Sequence, residues 1–170
     1  MPAHPKPPLV RLLISLGACT TAGSITALWM LPKVSPWLAN LRRPAFLPQD
    51  SWWLPAVMFV YLLLGFTLYL LWQASRVNDV DKKLCLALLW FSVILLSTWG
   101  YFFFGLESPI MGMLVGTLAV AMLIAAMVQS VRVSFGATLL LFLLVILVFL
   151  AAYANYVILV ANPGLAVFGR

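Results

Sequence analysis

The chain has 170 residues, of which 65% are hydrophobic and only 8% charged, and its formal net charge at pH 7 is +6. A soluble globular domain carries about 25% charged residues, so this composition excludes a water-soluble fold, and the apolar and aromatic content excludes a disordered chain. The remaining class is an integral membrane protein. Because the basic residues are scattered over five polar segments, we expect them to contact anionic lipid headgroups and not nucleic acid.

Uncharged stretches between the clusters of charged residues predict the membrane spans. Five such stretches cover residues 12–32, 51–75, 84–106, 108–131 and 133–169. A transmembrane helix needs about 20 apolar residues, so the first four stretches hold one span each. The fifth is too short for two spans and a turn. We therefore predict an all-α integral membrane protein, multi-pass, with one five-helix domain over residues 1–170 and spans at about residues 12–31, 53–73, 84–105, 109–131 and 136–160.

The first connection, residues 32–51, is the longest and contains four prolines, Pro32, Pro36, Pro44 and Pro48. Four prolines preclude a regular helix across it, and long loops in compact proteins are often functional. The three later connections are short, which predicts that sequential helices lie antiparallel and adjacent. The long first loop is therefore a candidate functional segment.

Six of the seven tryptophans of the chain lie at the ends of predicted spans or inside one. Four lie at predicted span ends, where indole rings form the interfacial belt: Trp29, Trp52, Trp53 and Trp72. Trp99 differs because it lies inside the third span, roughly 9 Å from its end at 1.5 Å per residue. An indole N–H at that depth needs a hydrogen-bond partner or a ligand. At helical spacing it shares a face with Ser92, Leu96 and Phe103, which is either a helix-packing seam or a pocket wall.

The fourth span places three small residues, Gly112, Gly116 and Ala119, on one helical face. In lipid, close backbone packing across such a face is a main source of helix association. The sequence leaves two packing partners possible for this face. It packs against a neighbouring helix of the same bundle, or it forms the seam of a homodimer.

Asn155 is the one strongly polar amide deep in a span. It either forms an interhelical hydrogen bond, or it holds the polar edge of a ligand or the first loop. Catalytic groups are scarce, because the only histidine, His4, lies in a proline-rich tail and all four acidic residues lie in predicted loops. We therefore expect neither an enzyme nor a metal site, and no intrinsic cofactor.

Several stretches resemble the TspO/MBR family, which includes the translocator proteins, the tryptophan-rich sensory proteins and the peripheral benzodiazepine receptors. The first loop, from Trp37 through Arg43-Pro44 to Phe46 and Pro48, is similar to the family's loop signature. Tyr61-Leu-Leu-Leu-Gly65 resembles its second helix, and Ser97-Thr98-Trp99 through Phe103-Phe104-Gly105 its third. Asn155 and Asn162 match the end of its fifth helix. The resemblance covers about residues 12–162 and implies five helices in the family's order.

The sequence departs from the family at positions that line the family's pocket. A tryptophan of the second helix is replaced by Val57, an asparagine of the third by Leu96 and a glutamine by Ser92. The Pro-Tyr-x-x-Trp of the fifth helix is absent, and that stretch ends on Leu147. These replacements predict a more apolar cavity with fewer hydrogen-bonding groups for a carboxylated tetrapyrrole.

By resemblance, the chain is expected to bind a hydrophobic small molecule (a tetrapyrrole such as a porphyrin, a sterol or another lipid) and to serve in its transport or sensing. The expected ligand-binding residues are Trp37, Phe46, Tyr61, Trp99, Phe103 and Asn155. The alternative is a non-catalytic structural or assembly subunit that packs against another membrane complex. The expected partners are the lipid bilayer, the ligand, and a second copy or a larger membrane complex. A cavity bordered by Trp99 and covered by the first loop would favour the binding protein.

Overall fold

The computed structural model describes residues 7–45, 47, 50–74 and 78–165. In these residues the secondary structure is entirely helical. The five long helices are α1 (Pro8–Val34), α2 (Trp53–Gln73), α3 (Asp79–Gly100), α4 (Pro109–Ser130) and α5 (Phe135–Ala161). A π-helical turn, Tyr101–Gly105, continues α3, and short 3-10 turns lie at Leu38–Asn40, Asp50–Trp52 and Pro163–Leu165. All five long helices have the length and hydropathy to cross a membrane, which confirms the predicted all-α, five-span membrane fold.

Two helices extend beyond the boundaries expected from the sequence. α1 runs through Pro32 to Val34, because a proline in the last turn removes only one backbone donor. α3 begins at Asp79 and not at residue 84. The Asn78 side chain accepts a hydrogen bond from the Val80 N–H at 3.0 Å, and acidic residues are favourable in the first turn of a helix. The charged residues that ended the predicted span therefore belong to the helix.

The five helices close a ring. α1 packs against α2 and α3, α4 packs against α3 and α5, and α5 packs against α2. The order around the ring is therefore α1, α2, α5, α4, α3. Large apolar side chains cover the outside, and Leu28 and Phe135 are 72% and 75% exposed. This exposed apolar surface is what a bilayer requires.

The buried side chains form two clusters along the bundle. The larger cluster includes Leu64, Leu89 and Leu141 and extends from the middle of the bundle toward the α2–α3 connection. The smaller one lies at the end covered by the first loop and joins Met30, Leu38, Trp53, Phe103, Phe104 and Ile158. The candidate site lies between these two clusters.

Candidate functional site

The bundle contains a cavity of about 330 Å³ that all five helices line. Binding pockets for small molecules have volumes of roughly 300–1,000 Å³ and mostly apolar walls. α2 and α5 supply most of this wall, α3 and α4 supply its back, and Leu47 of the first loop closes one end. Among the described residues, no charged side chain lines the cavity. A cavity bordered by Trp99 and partly covered by the first loop is therefore present.

Stacked aromatic rings form the α3 side of the cavity. The Trp99 and Phe103 rings lie 5.3 Å apart with an interplanar angle of 10°, and both residues line the cavity. The π-helical turn inserts one extra residue per turn, which directs the successive residues Phe103 and Phe104 inward. Phe103 is 1% exposed and Phe104 is fully buried. π-helical turns are frequent at functional sites, and this one builds the aromatic wall.

Two further tryptophans pack on these phenylalanines from the loop end. Trp37 contacts Phe103 edge-on at 5.4 Å, so it supports the wall from behind and does not line the cavity. Trp53 contacts Phe104 edge-on at 5.9 Å and does line the cavity. Phe46, the other expected residue from the first loop, lies outside the described residues.

Tyr61 contributes its ring to the cavity while its hydroxyl joins three helices. The Tyr61 hydroxyl lies 2.7 Å from the Thr26 hydroxyl of α1 and 3.1 Å from the Ser97 hydroxyl of α3. The ring packs over Gly23, where an added Cβ would lie only 2.9 Å from the ring carbons. The hydroxyl expected to bind a ligand is therefore already hydrogen-bonded within the bundle.

Asn155 is 1% exposed and lies on the cavity wall. Neither its Nδ2 nor its Oδ1 atom has a hydrogen-bond partner among the described residues. The interhelical hydrogen bond that the sequence offered as one role of Asn155 is therefore not formed among the described residues. A buried amide without partners costs roughly 1–3 kcal/mol, and such groups need a structural or functional explanation.

Trp53 is the residue that sequence reasoning missed. Its place at the start of a span predicted an interfacial ring, but the side chain is only 9% exposed and its buried Nε1 has no partner among the described residues. The Trp53 ring packs into the buried cluster that contains Phe103 and Phe104 of the π-helical turn. A signal existed in the adjacent pair Trp52-Trp53, because neighbouring helical residues face different directions. Trp52 is 61% exposed.

The small-residue face of α4 points into the bundle. Gly112 faces Asn155 and Phe103, and Gly116 faces Trp99 and lines the cavity. Ala119 is fully buried. Of the two partners left open by the sequence, the neighbouring helices of the same chain pack on this face in the structure.

Three of the four replaced family positions lie on the cavity wall, and the fourth, Ser92, is buried but does not line it. Val57 of α2, Leu96 of α3 and Leu147 of α5 line it together. The polar groups on the wall are reduced to a few, chiefly Asn155, Trp53 and the bonded Tyr61. The sequence departures therefore produce the apolar cavity expected from them.

Comparison with known proteins agrees with this architecture. The TspO/MBR family model matches residues 14–161. The chain is 27% identical over 157 residues to the tryptophan-rich protein TspO of Chlorobaculum tepidum, covering 91% of this chain and 98% of that protein. It is 29% identical over 105 residues to the protein of the same name from Archaeoglobus fulgidus, covering 62% and 67%. The chain therefore belongs to the TspO/MBR family of integral membrane proteins.

Proposed function

We propose that this TspO-type protein binds a hydrophobic ligand that carries one uncharged polar group. The observation that carries the proposal is the Asn155 amide, which is buried, unpartnered and placed on the wall of an apolar cavity. A ligand with a hydroxyl or carbonyl group would satisfy this amide. The Trp53 N–H offers a second donor on the same wall.

The cavity favours a neutral lipid or a sterol over a carboxylated tetrapyrrole. A carboxylate buried without a cation or several donors is costly, and no cationic side chain lines the described wall. The rings of Trp99 and Phe103 supply flat apolar area for a rigid or extended hydrocarbon. Binding, and not catalysis, is the proposed activity, and it serves the transport or the sensing of the ligand.

Fluorescence quenching in phosphatidylcholine nanodiscs tests this proposal. We expect a dibrominated monoacylglycerol to quench tryptophan emission saturably, and protoporphyrin IX to bind more weakly. The double variant Trp53→Phe/Trp99→Phe keeps aromatic rings on the wall, and because these two indoles line the cavity, it should remove most of the saturable signal. The matched control Trp72→Phe changes an indole at the far end of α2, outside the cavity, and should preserve it.

Equal loss in the two variants, or quenching that never saturates, would mean that the probe only partitions into the bilayer. The alternative role, a structural or assembly subunit, would then be the better explanation of this fold. Saturable quenching that depends on the two cavity tryptophans, Trp53 and Trp99, would favour the binding protein.

A further inference from the structure

The cavity is not enclosed on every side. Four of its lining residues are also exposed on the outer surface of the bundle. Two belong to α2, Ala56 and Phe59, and two belong to α5, Leu150 and Ala151. Phe59 and Leu150 are 50% and 49% exposed. Because these residues face the cavity and the exterior together, the opening lies between α2 and α5.

α2 and α5 are in contact above and below this opening. At the loop end, Trp53 and Ile158 are buried in the same cluster. At the other end, an added Cβ at Gly136 would lie 3.4 Å from a Leu70 methyl carbon. The two helices therefore pack closely near both ends and leave a gap in between.

The depth of this gap places it against lipid acyl chains. α2 has 21 residues, which gives about 31 Å at 1.5 Å per residue, close to the roughly 30 Å hydrocarbon thickness of a bilayer. Phe59 lies six residues into α2, about 9 Å from its start. Leu150 and Ala151 lie in the central part of α5. All four residues at the gap are apolar, as lipid contact requires.

We infer that the ligand enters the cavity sideways from the bilayer, through a portal between α2 and α5 bordered by Ala56, Phe59, Leu150 and Ala151. This inference rests on the proposed ligand binding and adds its route and its source, a molecule dissolved in the membrane. The other route would pass under the first loop, whose Arg42 is hydrogen-bonded to Asn162 at the end of α5.

Stopped-flow quenching by the dibrominated monoacylglycerol in nanodiscs measures this route directly. Ala151→Phe narrows the portal and should slow both association and dissociation by about tenfold, a barrier increase of about 1.4 kcal/mol. Phe59→Ala removes a half-exposed ring and should accelerate both rates. Ala121→Phe makes the same change on an exposed position of α4, outside the cavity wall, and should leave both rates unchanged.

Equilibrium titration and kinetics separate the two proposals. Absence of saturable binding by the wild-type protein would contradict the proposed function itself. Saturable binding with rates unaltered by both Ala151→Phe and Phe59→Ala would overturn the portal alone. The portal would also be overturned if Asn162→Ala, which releases the first loop, accelerated association while the α2 and α5 variants did not. If Ala151→Phe does not fold, Phe59→Ala decides the question.

Discussion

The side chain of Asn162 forms a pair of hydrogen bonds with the backbone of Arg42. Its Nδ2 donates to the Arg42 carbonyl at 3.0 Å, and its Oδ1 accepts from the Arg42 N–H at 3.1 Å. The same Nδ2 also donates to the Ile158 carbonyl at 2.8 Å, which fixes the amide against the last turn of α5. One side chain thus anchors the first loop to the bundle on the side where Leu47 closes the cavity.

Removing this anchor should expose the first loop to proteolysis. In Asn162→Ala we expect trypsin to cleave the Arg42–Arg43 bond about tenfold faster, because the lost bonds are worth about 1.4 kcal/mol together. Cleavage after Arg43 is suppressed by the following Pro44, so the product is diagnostic. Asn78→Ala, which removes the cap of α3 at the opposite end, is the matched control. Equal cleavage in all three proteins would show that other contacts hold the loop.

Tyr61→Phe should separate the structural role of this hydroxyl from a role in binding. The hydroxyls of Thr26 and Ser97 keep their own helix carbonyls, those of Ala22 at 3.3 Å and Val93 at 3.0 Å. The free energy of unfolding should therefore fall by only about 1 kcal/mol, measured by denaturation in detergent. The affinity for the monoacylglycerol should be unchanged because the ring still lines the cavity. A lower affinity at unchanged stability would place the hydroxyl on the ligand.

Asn155→Leu should have opposite effects on stability and on binding. The substitution removes a buried amide that has no partner among the described residues, so the ligand-free protein should keep or gain stability, by up to about 1–3 kcal/mol. The affinity for the monoacylglycerol should fall, because its polar group loses its partner on the wall. Thermal unfolding with and without the glyceride measures both effects. A large loss of stability without ligand would mean that the amide is bonded inside the bundle.

The sequence predicted the five spans because charged residues are excluded from the hydrocarbon core. The uncharged stretches that result can be read directly along the sequence. It also predicted that Trp99 and Phe103 share a face, because their four-residue spacing is local. It did not predict that Trp53 is buried, because this depends on a π-helical turn that changes the register of Phe103 and Phe104. The sequence also did not predict that the Asn155 amide has no partner among the described residues, since this depends on which side chains the neighbouring helices place around it.

Alanine substitutions at two glycines on the same face of α4, Gly112 and Gly116, should have different effects. An alanine Cβ at Gly112 would lie 2.8 Å from Asn155 Nδ2 and 2.9 Å from a ring carbon of Phe103, closer than packed atoms tolerate. We expect Gly112→Ala to destabilise the protein by about 1–3 kcal/mol and to weaken ligand binding by displacing Asn155. At Gly116 the nearest atoms, from Trp99 and Ala152, lie 3.6 and 3.7 Å away, so Gly116→Ala should be nearly neutral.

Thermal unfolding and light scattering in detergent distinguish this internal role of the glycine face from a dimer seam. Because both glycines face the inside of the bundle, the two alanine variants should keep the oligomeric mass of the wild-type protein while their stabilities differ. A change in mass without a change in stability would instead place this face between two copies of the chain. Gly116→Leu extends the test, because its longer side chain projects into the cavity and should abolish saturable quenching in a folded protein.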